Sequence, residues 1–175
     1  LTEAFTLEQL AAQMEVNYFG VARMFRAVLP HMRRRGEGLV ITVSSLAGRL
    51  LFPGFHSYNS SKFAVEALAE GYRYELSPLG VDSVIVEPGP FRTELIANSP
   101  RPADEGVLAQ YGELAGLPNQ IIAGFDEFIR DNAEDATDPH VVVGDIARLI
   151  DIPFGQRPAR TVSGIDYGTR DLNVA

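Results

Sequence analysis

Tyr58 and Lys62 stand four residues apart in a stretch with helical patterning, so phenol and ammonium share one face. A cation beside a phenol favours the phenolate. The spacing therefore predicts a tyrosine whose pKa falls towards working pH, able to exchange a proton with an alcohol or carbonyl oxygen. Such pairs arise by chance in many helices, so the residues around this one matter. Ser45 lies thirteen positions before Tyr58, at the end of a strand-like run, where its hydroxyl could hold the same substrate oxygen. Ser44 is the rival, because neighbouring side chains on a strand point to opposite faces. The plain alternative is that both hydroxyls only end the strand.

The elements that must position these groups can be read on either side of them. Thr6 and Gln9 form a capping-box pattern. Behind it, Leu10, Met14, Tyr18, Val21, Phe25, Val28 and Met32 recur with a period near 3.6, which predicts a long helix. Asn17 and Gly20 interrupt that helix in mid-course. Arg33-Arg34-Arg35 followed by Gly36 reads as its end, where cations and a left-handed glycine are favoured. Gly38 to Ser45 is apolar and β-branched with little alternation, the pattern of a strand covered on both faces. After Pro53-Gly54 the spacing predicts a helix from about Tyr58 to Leu76, then a second strand over Val81–Val86 broken by Pro88-Gly89-Pro90. Strand, helix, strand is a βαβ unit. Its right-handed crossover brings both strand ends to one edge of a parallel sheet, where ligands bind in α/β folds.

Residues 94–138 are too long for a simple connection and hold Pro100, Pro102 and Pro118, with helical candidates near 103–115 and 122–132. They read as a substrate-binding excursion. Leu95, Ile96, Leu108, Tyr111, Ile121, Ile122 and Phe125 would give it an apolar pocket, unless they only pack the segment down. A further helix over Pro139–Ile150 and a last strand over Arg160–Ile165 complete a single domain, 1–175.

Composition narrows the function classes. A net charge of −8 and a pI near 4.8 repel a phosphate backbone, so no nucleic-acid partner is expected. No apolar run of membrane-spanning length occurs, so no membrane partner is expected either. With no Cys, disulfides and thiol chemistry drop out, and a cytoplasmic location is expected. His31, His56 and His140 show no metal-ligand spacing, and no metal is expected. The chain opens on Leu, which reads as a fragment or a processed product.

Four segments in order carry a resemblance: Asn17-Tyr18-Phe19-Gly20, Ile41-Thr42-Val43-Ser44-Ser45-Leu46-Ala47-Gly48, Tyr58-Asn59-Ser60-Ser61-Lys62 and Pro88-Gly89-Pro90-Phe91-Arg92-Thr93. Together they resemble the short-chain dehydrogenase/reductase family in its compact single-domain branch, over about Leu7 to Thr93. The Arg157-Pro158-Ala159-Arg160-Thr161 segment is similar too. The resemblance implies an α/β fold, the C-terminal portion of a doubly wound Rossmann-like parallel sheet flanked by helices. It implies Ser45 as the substrate-orienting hydroxyl, Tyr58 as general acid/base, and Lys62 as its tuner and a ribose ligand. Asn17 would complete a tetrad by holding a water at a helix distortion. Pro88 and Gly89 would let the backbone approach the nicotinamide, and Thr93 would orient its carboxamide. NAD or NADP is the implied cofactor, an apolar alcohol or carbonyl compound the substrate, and a homodimer or homotetramer the assembly.

The family's Gly-rich strand-turn-helix, which receives a pyrophosphate at a helix N-terminus, is not found in this sequence. About three βα units of ~30 residues each therefore read as absent. Two functions follow: the C-terminal part of an NAD(P)-dependent alcohol dehydrogenase or carbonyl reductase, or a truncated, cofactor-incompetent member acting as a binding or assembly protein. A nucleotide-sugar epimerase shares Tyr-x-x-x-Lys but fits the Pro88–Thr93 turn less well.

Overall fold

The computed structural model describes residues 1–131 and 137–173. Helix α1, Leu7–Met14, starts at the expected capping box: Gln9 N donates to Thr6 Oγ1 over 3.2 Å and Thr6 N donates to Gln9 Oε1 over 3.1 Å. It runs through a π-helical stretch, Glu15–Phe19, into α2, Gly20–Arg35. That stretch contains Asn17, so the predicted break is a widened turn of a continuous helix, the kind of irregularity often met at functional sites. Gly36 ends α2 with φ +66°. Of the apolar stripe, Phe25 is fully buried and stacks on Tyr72, with centroids 4.4 Å apart.

Among the described residues three parallel strands form one sheet in the order β1-β2-β3: β1 is Gly38–Val43, β2 Val81–Pro88 and β3 Arg160–Ser163. Gly38 pairs with Val81 and Val43 with Val86 on one side of β2, and Ile85 with Arg160 on the other. As the central strand, β2 is buried from Val81 to Glu87. Alternation along it divides the core. Val81 and Ile85 pack with Phe25, Leu29, Ala69 and Leu76 from α2 and α3, the latter spanning His56–Leu76. Val84 and Val86 face the other way, onto Leu149 of α6, His140–Asp151. Helices thus cover both faces, as an apolar, non-alternating strand demands.

Between β2 and α6 lie α4, Glu105–Gln110, a short 3₁₀ turn over Gly112–Gly116, and α5, Leu117–Asp131. α5 begins before the expected 122 because Pro118 sits in its first turn, where a missing N–H costs no hydrogen bond. The expected end at 132 lies outside the described residues. The predicted helix 103–115 divides into α4 and the 3₁₀ turn. β3 stops at Ser163, ahead of the expected Ile165, because Gly164 turns left-handed at φ +75°. A final short helix, α7, spans Thr169–Leu172.

Candidate active site

Ser45 lies two residues past the end of β1, and its Oγ accepts from Ala47 N over 3.1 Å, capping the turn Leu46–Gly48. Asn59 ties that turn to α3. Fully buried, it donates from Nδ2 to Ala47 O at 2.9 Å and Leu50 O at 2.7 Å. Strand end and helix start are thereby locked together, and the Ser45 hydroxyl comes close enough to the Tyr58 phenol to favour its ionised form. Both line a cavity of about 1050 Å³ at the sheet edge where β1 and β2 end. Pro88, Gly89 and Thr93 border the same cavity, as do Leu95, Ile96 and Phe125 of the excursion.

Electrostatics at the phenol run opposite to the spacing argument. Burial pushes the Tyr58 pKa above its ordinary value, and the Ser45 hydrogen bond offsets this only in part. The lowering expected from Lys62 is not found, because removing the phenolate from water costs more than the Ser45 hydroxyl returns. Lys62 is itself held below its usual range by burial, with the Glu66 carboxylate acting the other way. Its ammonium lies 5.6 Å from the centre of the Tyr58 ring and donates to Val43 O at 3.3 Å. The shared helical face is real, and it places the charge over the ring.

Asn17 does not border the cavity; its Nδ2 donates to Ser61 Oγ over 3.0 Å, linking the π-helical stretch to α3. Gly89 is required by the chain's own backbone: a Cβ there would lie 2.2 Å from Ile165 O. Thr93 is exposed, and its Oγ1 accepts a long 3.4 Å bond from Leu95 N. Ser44, the rival hydroxyl, also touches the cavity but is buried. Leu108, Tyr111, Ile121 and Ile122 lie away from the cavity, so only part of the expected apolar set lines it. His56 is exposed, with Nδ1 2.9 Å from Thr2 Oγ1, and no metal-binding cluster occurs among the described residues.

Sequence reasoning missed Phe52, Phe55 and Tyr167, which line the cavity from two loops. It also missed a buried carboxylate pair, Glu66 and Glu87. Arg160 Nε lies 3.1 Å from Glu66 and 3.4 Å from Glu87, and Arg160 Nη2 is 2.7 Å from Glu70. Burial and the Glu66 charge raise the Glu87 pKa to about 7.

Ser45, Tyr58 and Lys62 all lie within a region that matches a known family. Residues 1–104 match the family model for short chain dehydrogenase. The chain belongs to that family. The uncharacterized oxidoreductase YusZ of Bacillus subtilis is 33% identical over 152 residues, covering 84% of this chain and 51% of that protein. A 3-ketodihydrosphingosine reductase of Bacteroides thetaiotaomicron is 40% identical over 96 residues, 55% of this chain and 36% of that protein. Among solved structures, a short-chain dehydrogenase from Streptomyces avermitilis superposes with TM-score 0.71 at 33% identity, over 98% of this chain and 59% of that one. One from Burkholderia cenocepacia in complex with NADP gives 0.59 at 26% identity, over 97% and 55%. This short-chain dehydrogenase chain thus spans about a third to a half of the length of these curated relatives. Among its described residues no helix is long and apolar enough to cross a membrane.

Proposed function

We propose that this chain carries the proton-transfer centre of an NAD(P)-dependent alcohol dehydrogenase or carbonyl reductase. The observation that carries the reading is that Ser45 and Tyr58, the two hydroxyls the mechanism needs, line one cavity that Thr93 and the Pro88-Gly89 turn also border. Ser45 holds the substrate oxygen. Tyr58 gives it a proton in reduction and removes one in oxidation. The nicotinamide, when bound, supplies or accepts the hydride. Lys62 fits a ribose: its ammonium has three protons, and Val43 O is the one hydrogen-bond acceptor it meets among the described residues. Pro88, Gly89 and Thr93 would face the nicotinamide, and Asn17 would hold α3 in place from the π-helical turn. Residues 94–138 would enclose an apolar substrate. The NADP complex of the Burkholderia relative supports the cofactor class. Homodimers or homotetramers through α2 and α3 belong to the same reading, supported by Met24 and Phe63, apolar yet exposed on those helices.

Tyr58→Phe tests it. Turnover of NADPH or NADH should fall by about 10²–10⁴-fold with cofactor affinity, followed by fluorescence, unchanged. Retained turnover would reject the proton-transfer role. The second reading, a cofactor-incompetent binding or assembly protein, draws on β1, which stands at the sheet edge with Val43 47% exposed. Absence of any NADH or NADPH binding would favour it.

A further inference from the structure

The cavity wall carries two chemically different sets of side chains. Ser45 and Tyr58 make one. In the other, Phe52 crosses Phe125 with centroids 5.7 Å apart at 68°, and Phe55 crosses the same ring at 5.9 Å and 87°. Tyr167 crosses Phe52 at 6.2 Å and 71°. All four line the cavity, and they come from the loop after β1, from α5 and from the loop after β3. The charged side chains that border it, Arg92, Glu94, Asp126 and Arg130, are all exposed, so charge is confined to the rim.

Near-perpendicular rings packed on one another turn a mixture of faces and edges towards the cavity they line. An aromatic guest can answer each with its own edge or face, whereas an alkyl chain offers only area. Tyr167 is the sole non-glycine described residue with positive φ, at +47°. That conformation is uncommon for a side chain of its size and places it against Phe52; such backbone outliers gather at ligand sites. About 1050 Å³ is also far more room than a short aliphatic ketone fills.

We infer that Phe52, Phe55, Phe125 and Tyr167 form the specificity wall of this site and select a ketone or secondary alcohol carried on a planar aromatic ring system. The inference rests on the oxidoreductase reading for the fate of the oxygen, but not for binding of the ring.

The probe is Prodan, a naphthyl ketone whose emission shifts to the blue in apolar surroundings; the chain has no Trp to interfere. Titrated into the full chain, it should show a saturable blue shift, reversed by 2-acetonaphthone and not by 2-nonanone at equal concentration. Phe125→Leu, which keeps apolar bulk but removes the ring, should weaken Prodan by about three- to tenfold. Tyr167→Gly should weaken it similarly while holding or raising the thermal midpoint, since glycine adopts the left-handed backbone freely. Equal displacement by 2-nonanone, displacement by NADPH alone, or unchanged affinity in both variants would overturn the inference. Wall-dependent Prodan binding without reduction of any aryl ketone would leave the wall standing and sink the oxidoreductase reading instead.

Discussion

Tyr58 holds its proton more tightly than a solvated phenol, because burial penalises the phenolate and Ser45 returns only part of the loss. At neutral pH the side chain is therefore ready as an acid and must be deprotonated to serve as a base. Carbonyl reduction should stay nearly flat from about pH 6 to 9, while alcohol oxidation climbs towards alkaline pH. Initial rates in both directions across that range check this; an oxidation rate already level below about pH 7 would contradict it. The Tyr58–Lys62 spacing was legible in the sequence, but the sign of the pKa shift was not. Spacing reports which groups are near, and burial depends on the chain that closes over them.

At the level of elements, the crossover from β1 through α3 to β2 brings Ser45, Tyr58 and the Pro88-Gly89 turn to one edge. Buried pairs hold the later elements to that frame. Arg157 donates to Asp82 Oδ2 at 2.7 Å and to Leu149 O at 2.7 Å, fastening the end of α6 to β2. The Asp82 side chain is 3% exposed, so Arg157→Ala leaves a buried carboxylate without its guanidinium. It should cost about 3–5 kcal/mol of folding stability, read by urea unfolding. A loss under about 1 kcal/mol would show that solvent reaches Asp82 in the variant. Gly80 serves the same frame: at φ +76° it turns the chain into β2, and a Cβ there would lie 2.0 Å from Gly36 O.

For the whole molecule, Glu87 is where the sheet, α3 and the C-terminal segment meet. It faces Glu66 and Arg160, and accepts a hydrogen bond from Asn173 Nδ2. Its pKa rises from 4.5 to about 7 on folding, so the folded state keeps a proton that the unfolded chain releases earlier. This contribution is complete below pH 4.5 and lost as the pH climbs to about 7. Glu87→Gln, which cannot ionise, should flatten the fall in thermal midpoint across that window; an unchanged slope would contradict the assignment. Sedimentation should also show an assembly larger than the monomer, and a monomer at micromolar concentration would reject contact through α2 and α3.

The sequence by itself determined the capping box, the break near Asn17, the β1-α3-β2 unit, and the spacing that puts Tyr58 and Lys62 on one helical face. Each is written in residue type and short spacing, which backbone geometry translates directly into faces and ends. Only the tertiary structure decided that burial outweighs Ser45 at Tyr58, that Asn17 turns to Ser61, and that four aromatic rings share a wall. It also brought Arg160 to Glu66, 94 residues away. Those outcomes depend on solvent exclusion and on contacts between distant segments, and neither exists until the sheet and its two helix layers have closed.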